Sequence, residues 1–168
     1  MEQINEKLTD KQKQFFNNLS IHIGKPIYFY GSIYRLDYFP GKSDIDVVIF
    51  TDNETSTIQL LCNFLNMNRN KFIKFFYKLE STLVPGYKIK YKNHDIDVEI
   101  AIYNNKHKTL KLNDDKRTTS IPIYYCIILA IVKFLMYNLG IISHKTYMKL
   151  KNFIMNPGAK DRYIVVDN

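Results

Sequence analysis

Residues 27–50 read IYFYGSIYRLDYFPGKSDIDVVIF and hold two short apolar strands separated by a polar stretch rich in turn residues. The first strand ends at Gly31 and Ser32. A glycine at a strand end lets the backbone approach a phosphate group closely, and the Ser32 hydroxyl can donate a hydrogen bond to it. Asp44 and Asp46 open the second strand and share one face, because side chains alternate along a strand. The stretch therefore predicts a phosphate site beside a pair of acids.

A later strand carries a second set of acids. Asp95, Asp97 and Glu99 alternate with apolar residues and would also share one face. Carboxylates this close repel each other, which costs stability unless a cation lies between them. Hard oxygen ligands of this kind suit Mg²⁺, which completes its coordination with water and substrate phosphates. Two such ions, about 3.5–4 Å apart, can hold the attacking and leaving oxygens of a phosphoryl displacement. The acids therefore indicate metal-assisted chemistry on a phosphate ester.

The rest of the chain alternates helical and extended patterns and shows no internal repeat. Helices are predicted at 9–23, 55–66, 71–79, 122–138 and 144–155, and strands at 27–30, 45–50, 87–91 and 95–103. Turn residues at 85–86 are expected to break the chain, residues 92–94 to close a hairpin, and residues 104–120 to form a charged loop. This order predicts an α+β fold with a small mixed or antiparallel sheet flanked by helices. We expect a core at 1–120 and C-terminal helices at 121–168, packed together as one compact domain.

The spacing of the first motif matches a known signature. The letters YGS at 30–32, eleven further residues and DIDV at 44–47 resemble the signature of the DNA polymerase β-like nucleotidyltransferase superfamily. That signature is a hydrophobic residue, Gly, and Gly or Ser, followed by a spacer and by acid–hydrophobic–acid–hydrophobic. The resemblance covers about residues 25–140 and implies a palm-like catalytic core.

The same resemblance implies roles for the acids. Asp44 and Asp46 would be shared ligands of Mg²⁺ or Mn²⁺. Asp97 would complete the catalytic and metal-binding triad and help to activate the attacking hydroxyl. Asp95 lies one alternation step away and is the alternative third acid. Glu99 is interpreted as a supporting or solvated acid.

A second, less specific resemblance concerns the C-terminal helix. The apolar run IILAIVKFL at 127–135 looks like the helix that follows the third acid in poly(A) polymerase-type members. In those members a lysine of this helix contacts the nucleotide phosphates. Lys133 is therefore assigned, with Gly31 and Ser32, to nucleotide binding. The alternative is that Lys133 extends its amine past apolar neighbours to reach water.

These resemblances imply an enzyme that transfers a nucleoside monophosphate from a nucleoside triphosphate, such as ATP, to an acceptor hydroxyl and releases pyrophosphate. The net charge of +8 and the pI near 9.3 favour a polyanionic partner, so a nucleic-acid acceptor, and first an RNA 3′ end, is expected. A small repair-type DNA polymerase is the second hypothesis. A binding module for nucleic acid or another partner, with the fold but without catalysis, is the third. The oligomeric state stays open.

Composition limits the other classes of protein. The polar N-terminal stretch lacks the apolar segment of a signal peptide, and the apolar run 121–139 is interrupted by Pro122 and Lys133, so no membrane span is expected. Cys62 and Cys126 fall in apolar helical patterns and are predicted to be buried thiols. The four histidines lack ligand spacing, so zinc is not expected. Frequent Lys, Asn and Ile suggest an A/T-rich genome, such as that of a DNA virus or a parasite. The thiols and the polar N-terminal stretch indicate an intracellular protein, cytoplasmic or nuclear.

Overall fold

The computed structural model describes residues 6–155 and 163–165 and is built around one sheet. Its strands are β1 (Ile27–Tyr30), β2 (Ile45–Thr51), β3 (Ile73–Leu79), β4 (Thr82–Lys92), β5 (Asp97–Asn104) and β6 (Tyr163–Val165). Its helices are α1 (Asp10–Ile23), α2 (Glu54–Leu65), α3 (Lys108–Thr119), α4 (Ile123–Tyr137) and α5 (His144–Met155). The strand order is β1-β2-β5-β4-β3-β6. Only β2 and β5 pair in parallel, so the predicted α+β fold with a mixed sheet is confirmed.

The larger hydrophobic core lies between one face of the sheet and the helices α1 and α2. Phe16 and Leu19 of α1 and Leu61 of α2 pack there against inward-pointing strand residues such as Val47 and Ile100. All five of these side chains are at most 2% exposed. Because strand residues alternate between faces, the residues between them point to the opposite face, where the acids lie.

Most predicted elements are confirmed to within two residues, namely α1, β1, β2, α2, β5, α4 and α5. The predicted strand at 87–91 is the C-terminal part of β4, and the short turn after Lys92 joins it to β5 as an antiparallel hairpin. Cys62 and Cys126 are buried and free, as predicted.

The helix predicted at 71–79 is wrong, because this segment forms the strand β3. Phe75, Tyr77 and Leu79 are buried while the residues between them are more exposed, which is the period of two expected of a strand. Aromatic residues also favour strands. The spacing of the apolar residues fits either a helix or a strand, and the run of aromatic residues is the signal that favours a strand.

The break predicted at Pro85 and Gly86 is also wrong, because both residues lie inside β4. Gly86 pairs with Phe75 on one side and Tyr103 on the other. A Cβ atom at Gly86 would lie 3.0 Å from both aromatic rings. The glycine therefore makes room for two large side chains in the middle of the sheet.

The loop predicted at 104–120 contains the helix α3 instead. Its inward face is charged rather than apolar, with Lys111, Asp114 and Asp115 all buried. Lys111 pairs with Asp115 one turn along the helix, and its ammonium lies 4.7 Å from the centre of the Tyr30 ring. The Tyr77 hydroxyl donates a hydrogen bond of 2.9 Å to Asp114. A search for apolar periodicity does not detect a helix that buries paired charges.

The C-terminal helices α4 and α5 pack on each other through Leu129, Val132 and Tyr147. The predicted boundary at residue 120 stays a prediction. The sequence predicts no element after residue 155. Of residues 156–168, the stretch 163–165 pairs with β3, and the others lie outside the described residues. Within the described part of the chain, no helix combines the length and the apolar character needed to cross a membrane.

The charged contact between α3 and the sheet can be tested with Tyr77→Phe. Loss of the hydroxyl removes a hydrogen bond to the buried Asp114 carboxylate. We expect the free energy of unfolding to fall by about 1–3 kcal/mol in denaturant titrations. Tyr87→Phe, at a half-buried position on the other face of the sheet, is the matched control and should change it by less than about 0.5 kcal/mol. Equal effects of the two variants would contradict this role of Tyr77.

Candidate active site

All the predicted site residues except Lys133 lie at one edge of the sheet, where β1 and β4 end and β2 and β5 begin. Tyr30, Asp46, Glu99 and Lys90 are neighbours in the strand register and form one row across the four strands. Register neighbours point to the same face, and adjacent strands lie about 4.8 Å apart. Asp97, two residues before Glu99, points to this face as well. We call this side of the sheet the site face.

Gly31 brings the backbone close to the first acid pair. It follows β1 directly and adopts a positive φ of 75°, a conformation that favours glycine. A Cβ atom at this position would lie 2.6 Å from the Asp46 carboxylate. The Gly31 amide donates a hydrogen bond of 3.1 Å to the Thr119 hydroxyl, and Ser32 is buried in the short 3-10 turn that follows. Any side chain at residue 31 would therefore displace the Asp46 carboxylate.

Asp46 sits in an environment that opposes its negative charge. Burial, followed by the neighbouring charge of Asp44, raises the pKa of the Asp46 carboxyl to about 7, and Glu99 adds to the rise. Lys151 and Arg35 act in the opposite direction. In the absence of a further cation, Asp46 therefore holds a proton at neutral pH in a large share of molecules. A divalent ion at this position would replace that proton.

Asp97 is contacted by two lysines of β4. The Lys92 ammonium lies 2.6 Å from Oδ2 of Asp97, and the Lys90 ammonium lies 3.5 Å from Oδ1. The hydrogen bond with Asp97 raises the pKa of Lys92. Oδ1 is itself buried and accepts no hydrogen bond within the described residues. A buried carboxylate oxygen without a donor is suited to accept a proton or to bind a cation.

Asp95, the alternative third acid, lies outside β5. Its carboxylate forms an ion pair of 2.9 Å with Lys11, and hydrogen bonds from Lys11 and His94 lower its pKa. The structure thus places Asp97 and Glu99, and not Asp95, on the site face beside Asp46. Glu99 adds to the rise in the pKa of Asp46, which is consistent with a supporting acid.

The acids share a face but do not form a closed cage. Among residues 6–155 and 163–165, no group of three or more His, Cys, Asp or Glu side chains is arranged to hold a metal ion. The contacts of Asp97 with Lys90 and Lys92 explain this arrangement, because the two ammonium groups neutralise the carboxylate in place of a metal. The donor set still fits a hard divalent cation, since it offers carboxylate oxygens only, one of them buried without a hydrogen bond.

The Lys133 ammonium is paired with other groups and is not free to bind phosphates beside the acids. Its ammonium is buried and lies 2.6 Å from the Asp37 carbonyl oxygen, 3.2 Å from the Asp37 carboxylate and 3.3 Å from the Ser43 hydroxyl. Burial lowers the pKa of Lys133, and Asp37 opposes this change. The alternative that Lys133 extends its amine to water is wrong, because the residue is only 2% exposed. A contact with phosphates would require this ion pair to open.

The Lys133 contacts belong to a buried network under the loop between Ser32 and Asp44. Arg35 donates hydrogen bonds of 2.7 and 3.1 Å to the two carboxylate oxygens of Asp37. Burial alone would raise the pKa of Asp37, but Arg35 and Lys133 outweigh it and the net change is a decrease. The network thus fixes helix α4 to the loop that delivers Asp44.

The structure adds two residues that the sequence did not indicate. Lys151 of α5 is close enough to Asp46 to lower its pKa, and it follows no recognisable motif. Tyr137 at the end of α4 hydrogen-bonds to Ser43, and burial together with the charges of Asp44 and Asp97 raises its pKa. Both lie on the C-terminal helices, so only tertiary packing brings them to the acids.

Comparison with known proteins gives a family but no curated relative. The sequence matches a family model described as a nucleotidyltransferase domain over residues 9–107, more than half of the chain. No curated protein matches it significantly.

Several solved structures are similar to this chain at low identity. The structure of a cytoplasmic RNA terminal U-transferase matches with a TM-score of 0.42 and 17% identity, over 81% of this chain and 44% of that chain. The GLD-2/RNP-8 complex matches with a TM-score of 0.42 and 17% identity, over 92% and 57%. CdnE cyclic dinucleotide synthase from Elizabethkingia meningoseptica, with GTP and Apcpp, gives 0.42 and 19%, over 89% and 68%. The chain thus spans about half the length of the first two.

The matched region runs from α1 to just past the end of β5 and contains Gly31, Asp44, Asp46 and Asp97. Helices α4 and α5, with Lys133 and Lys151, lie beyond it. The family that the spacing of residues 30–47 predicted is confirmed over this region. The chain belongs to the nucleotidyltransferase domain family.

Proposed function

We propose that this protein is a divalent-metal-dependent nucleotidyltransferase that moves a nucleoside monophosphate from a nucleoside triphosphate to an acceptor hydroxyl. The observation that carries the proposal is the site face, where the Asp46 carboxylate lies against Gly31 and Asp97 points to the same side. The raised pKa of Asp46 and the buried oxygen of Asp97 are the properties expected of carboxylates that bind a cation.

In this proposal Asp44 and Asp46 hold Mg²⁺ or Mn²⁺. When bound, the ion neutralises the charge that develops on the transferred phosphoryl group. The acceptor oxygen forms a bond to the α-phosphorus, and the bond from that phosphorus to the oxygen of the leaving pyrophosphate breaks. Oδ1 of Asp97, which accepts no hydrogen bond in the described structure, takes up the proton of the acceptor hydroxyl.

The triphosphate is held at the end of β1. Gly31 allows close approach of its phosphates to the backbone, and Ser32 lies in the same turn. Among the cations, Lys151 has the largest lowering effect on the pKa of Asp46, so we assign it to the phosphates. Lys133 acts as a positioning residue in this scheme, because its ammonium holds Asp37 and Ser43 of the loop before Asp44.

For the acceptor we propose an RNA 3′ end. The support is the net charge of +8 together with lysines directly beside Asp97 on the site face. Gap-filling DNA synthesis would use the same groups and is the second choice.

A binding module without catalysis is the competing function. One observation favours it, since the lysines of β4 pair with Asp97 and no metal cage is preformed among the described residues. Against it stands the environment of Asp46. Burial and the charge of Asp44 raise the pKa of its carboxyl, and this destabilises a protein that never binds a cation there.

Transfer activity distinguishes these functions. The full chain is incubated with each α-³²P-labelled ribo- and deoxynucleoside triphosphate, Mg²⁺ or Mn²⁺, and RNA, DNA and protein acceptors. Asp46→Asn and Asp97→Asn should each lower kcat by about 100-fold or more, because each removes charge stabilisation from the transition state. Asp95→Asn removes an equal charge two residues away and should keep kcat within about twofold. Undiminished transfer in Asp46→Asn would contradict the assigned site.

The unfavourable environment of Asp46 also predicts a pH-dependent stability. Since burial and Asp44 raise the folded-state pKa to about 7, above the unfolded value, the wild type loses stability as pH rises through the interval between the two values. Asp46→Asn lacks this titration. We therefore expect the variant to gain on the wild type by about 1.4 kcal/mol at most for each pH unit between pH 4 and 7.

Denaturant unfolding of both proteins from pH 4 to 8 measures this difference, and a difference that is constant with pH would refute the environment assigned to Asp46. Mg²⁺ with a nucleoside triphosphate at a hundredfold excess over the dissociation constant should stabilise the wild type by about 2.7 kcal/mol and the variant much less.

A further inference from the structure

Strand β4 carries a row of lysines on the site face. Lys88, Lys90 and Lys92 alternate with residues of the opposite face. In the strand register Lys90 lies beside Glu99, and Lys92 lies beside Asp97. Successive lysines of this lysine row are about 6.8 Å apart along the strand. The row therefore runs straight to the carboxylate that we assign to proton transfer.

The lysine row becomes more accessible toward the acids. The side chains of Lys88, Lys90 and Lys92 are 25%, 57% and 70% exposed. In the described strand pairs, β3 pairs with β4 only as far as Lys88, so residues 89–92 pair with β5 alone. The two outer lysines thus lie where β4 has one strand partner in the described pairs, and their side chains are more than half exposed.

Two lysines of the row share one carboxylate. The Lys90 and Lys92 ammonium groups lie 3.5 and 2.6 Å from Asp97, and Lys88 lies 3.9 Å from Glu99. Asp97 therefore offsets only one of the two positive charges of Lys90 and Lys92.

We propose that the lysine row binds the phosphate backbone of a single-stranded nucleic acid and leads its 3′ end to Asp97. This inference rests on the proposed function, whose acceptor it describes. A straight, single row of cations at regular spacing matches one extended phosphate backbone, whereas a duplex presents two backbones on a wide cylinder. The net charge of the whole chain, +8, is also positive and favours a polyanionic partner.

The pairing with Asp97 holds two lysines of the row. The Asp97 carboxylate contacts the ammonium groups of both Lys90 and Lys92. Replacing this carboxylate by a neutral side chain would release both ammonium groups to bind phosphates.

Fluorescence anisotropy with a 5′-labelled 15-nucleotide oligouridine measures this binding as a function of salt. In the full chain, Lys90→Gln/Lys92→Gln should raise Kd at least tenfold and reduce the slope of log Kd against log salt by about 1.4, or about 0.7 for each lost phosphate contact. The matched control is Lys74→Gln/Lys78→Gln, which removes the same charge from β3 on the opposite face of the sheet and should change Kd by less than about threefold. Circular dichroism melting verifies that both variants are folded.

Charge neutralisation at the acids gives an independent readout. Asp97→Asn frees Lys90 and Lys92 and should bind oligouridine at least fivefold more tightly than the wild type. Asp95→Asn changes the net charge equally but releases Lys11 and His94, which do not belong to the lysine row. It should therefore tighten binding by less than twofold.

The proposal is overturned if both lysine double variants weaken binding equally, if both aspartate variants tighten it equally, or if a duplex of the same length binds more tightly than the single strand. Its failure is separable from that of the proposed function. Oligouridine binding through the row without any transfer would refute only the proposed function. Transfer to a protein hydroxyl with no binding of oligonucleotides would refute only the lysine row.

Discussion

The burial of Asp46 beside two other carboxylates is the constraint on which the proposed site depends. Burial is the largest cause of the raised pKa of its carboxyl, and the charges of Asp44 and Glu99 add to it. Gly31 leaves room for the Asp46 carboxylate, because a Cβ atom at this position would lie 2.6 Å from it. In the function that we propose, a bound cation offsets this unfavourable environment.

The surroundings supply cations from three directions. Lys90 and Lys92 of β4 contact Asp97, and Lys151 of α5 acts on Asp46. Lys133 of α4 instead neutralises Asp37 and fixes the loop before Asp44. The lysines beside Asp97 can exchange partners when a metal and phosphates arrive, whereas the Lys133 pair is buried and acts as a fixed support.

The sequence predicted the parts of the fold that follow from local pattern. Alternation in DIDV placed Asp44 and Asp46 correctly at the start of a strand, and the spacing to Gly31 identified the family. Its failures have physical causes. Helix α3 buries paired charges, which a search for apolar periodicity does not detect. The apolar spacing of β3 fits either a helix or a strand, and its aromatic residues were the signal that favoured a strand. The partner of Lys133 was invisible because Asp37 is distant in sequence.

The most direct test of the central claim is whether a metal replaces the proton of Asp46. Isothermal titration calorimetry measures this exchange. The full chain is titrated at pH 6.5 with a preformed complex of Mn²⁺ and a non-hydrolysable nucleoside triphosphate. Two buffers of different ionisation enthalpy are used, and the difference in binding heat between them gives the number of protons released. Because the pKa of Asp46 is raised to about 7, the account predicts release of most of one proton in the wild type and none in Asp46→Asn. Binding with equal proton release in both proteins would contradict it.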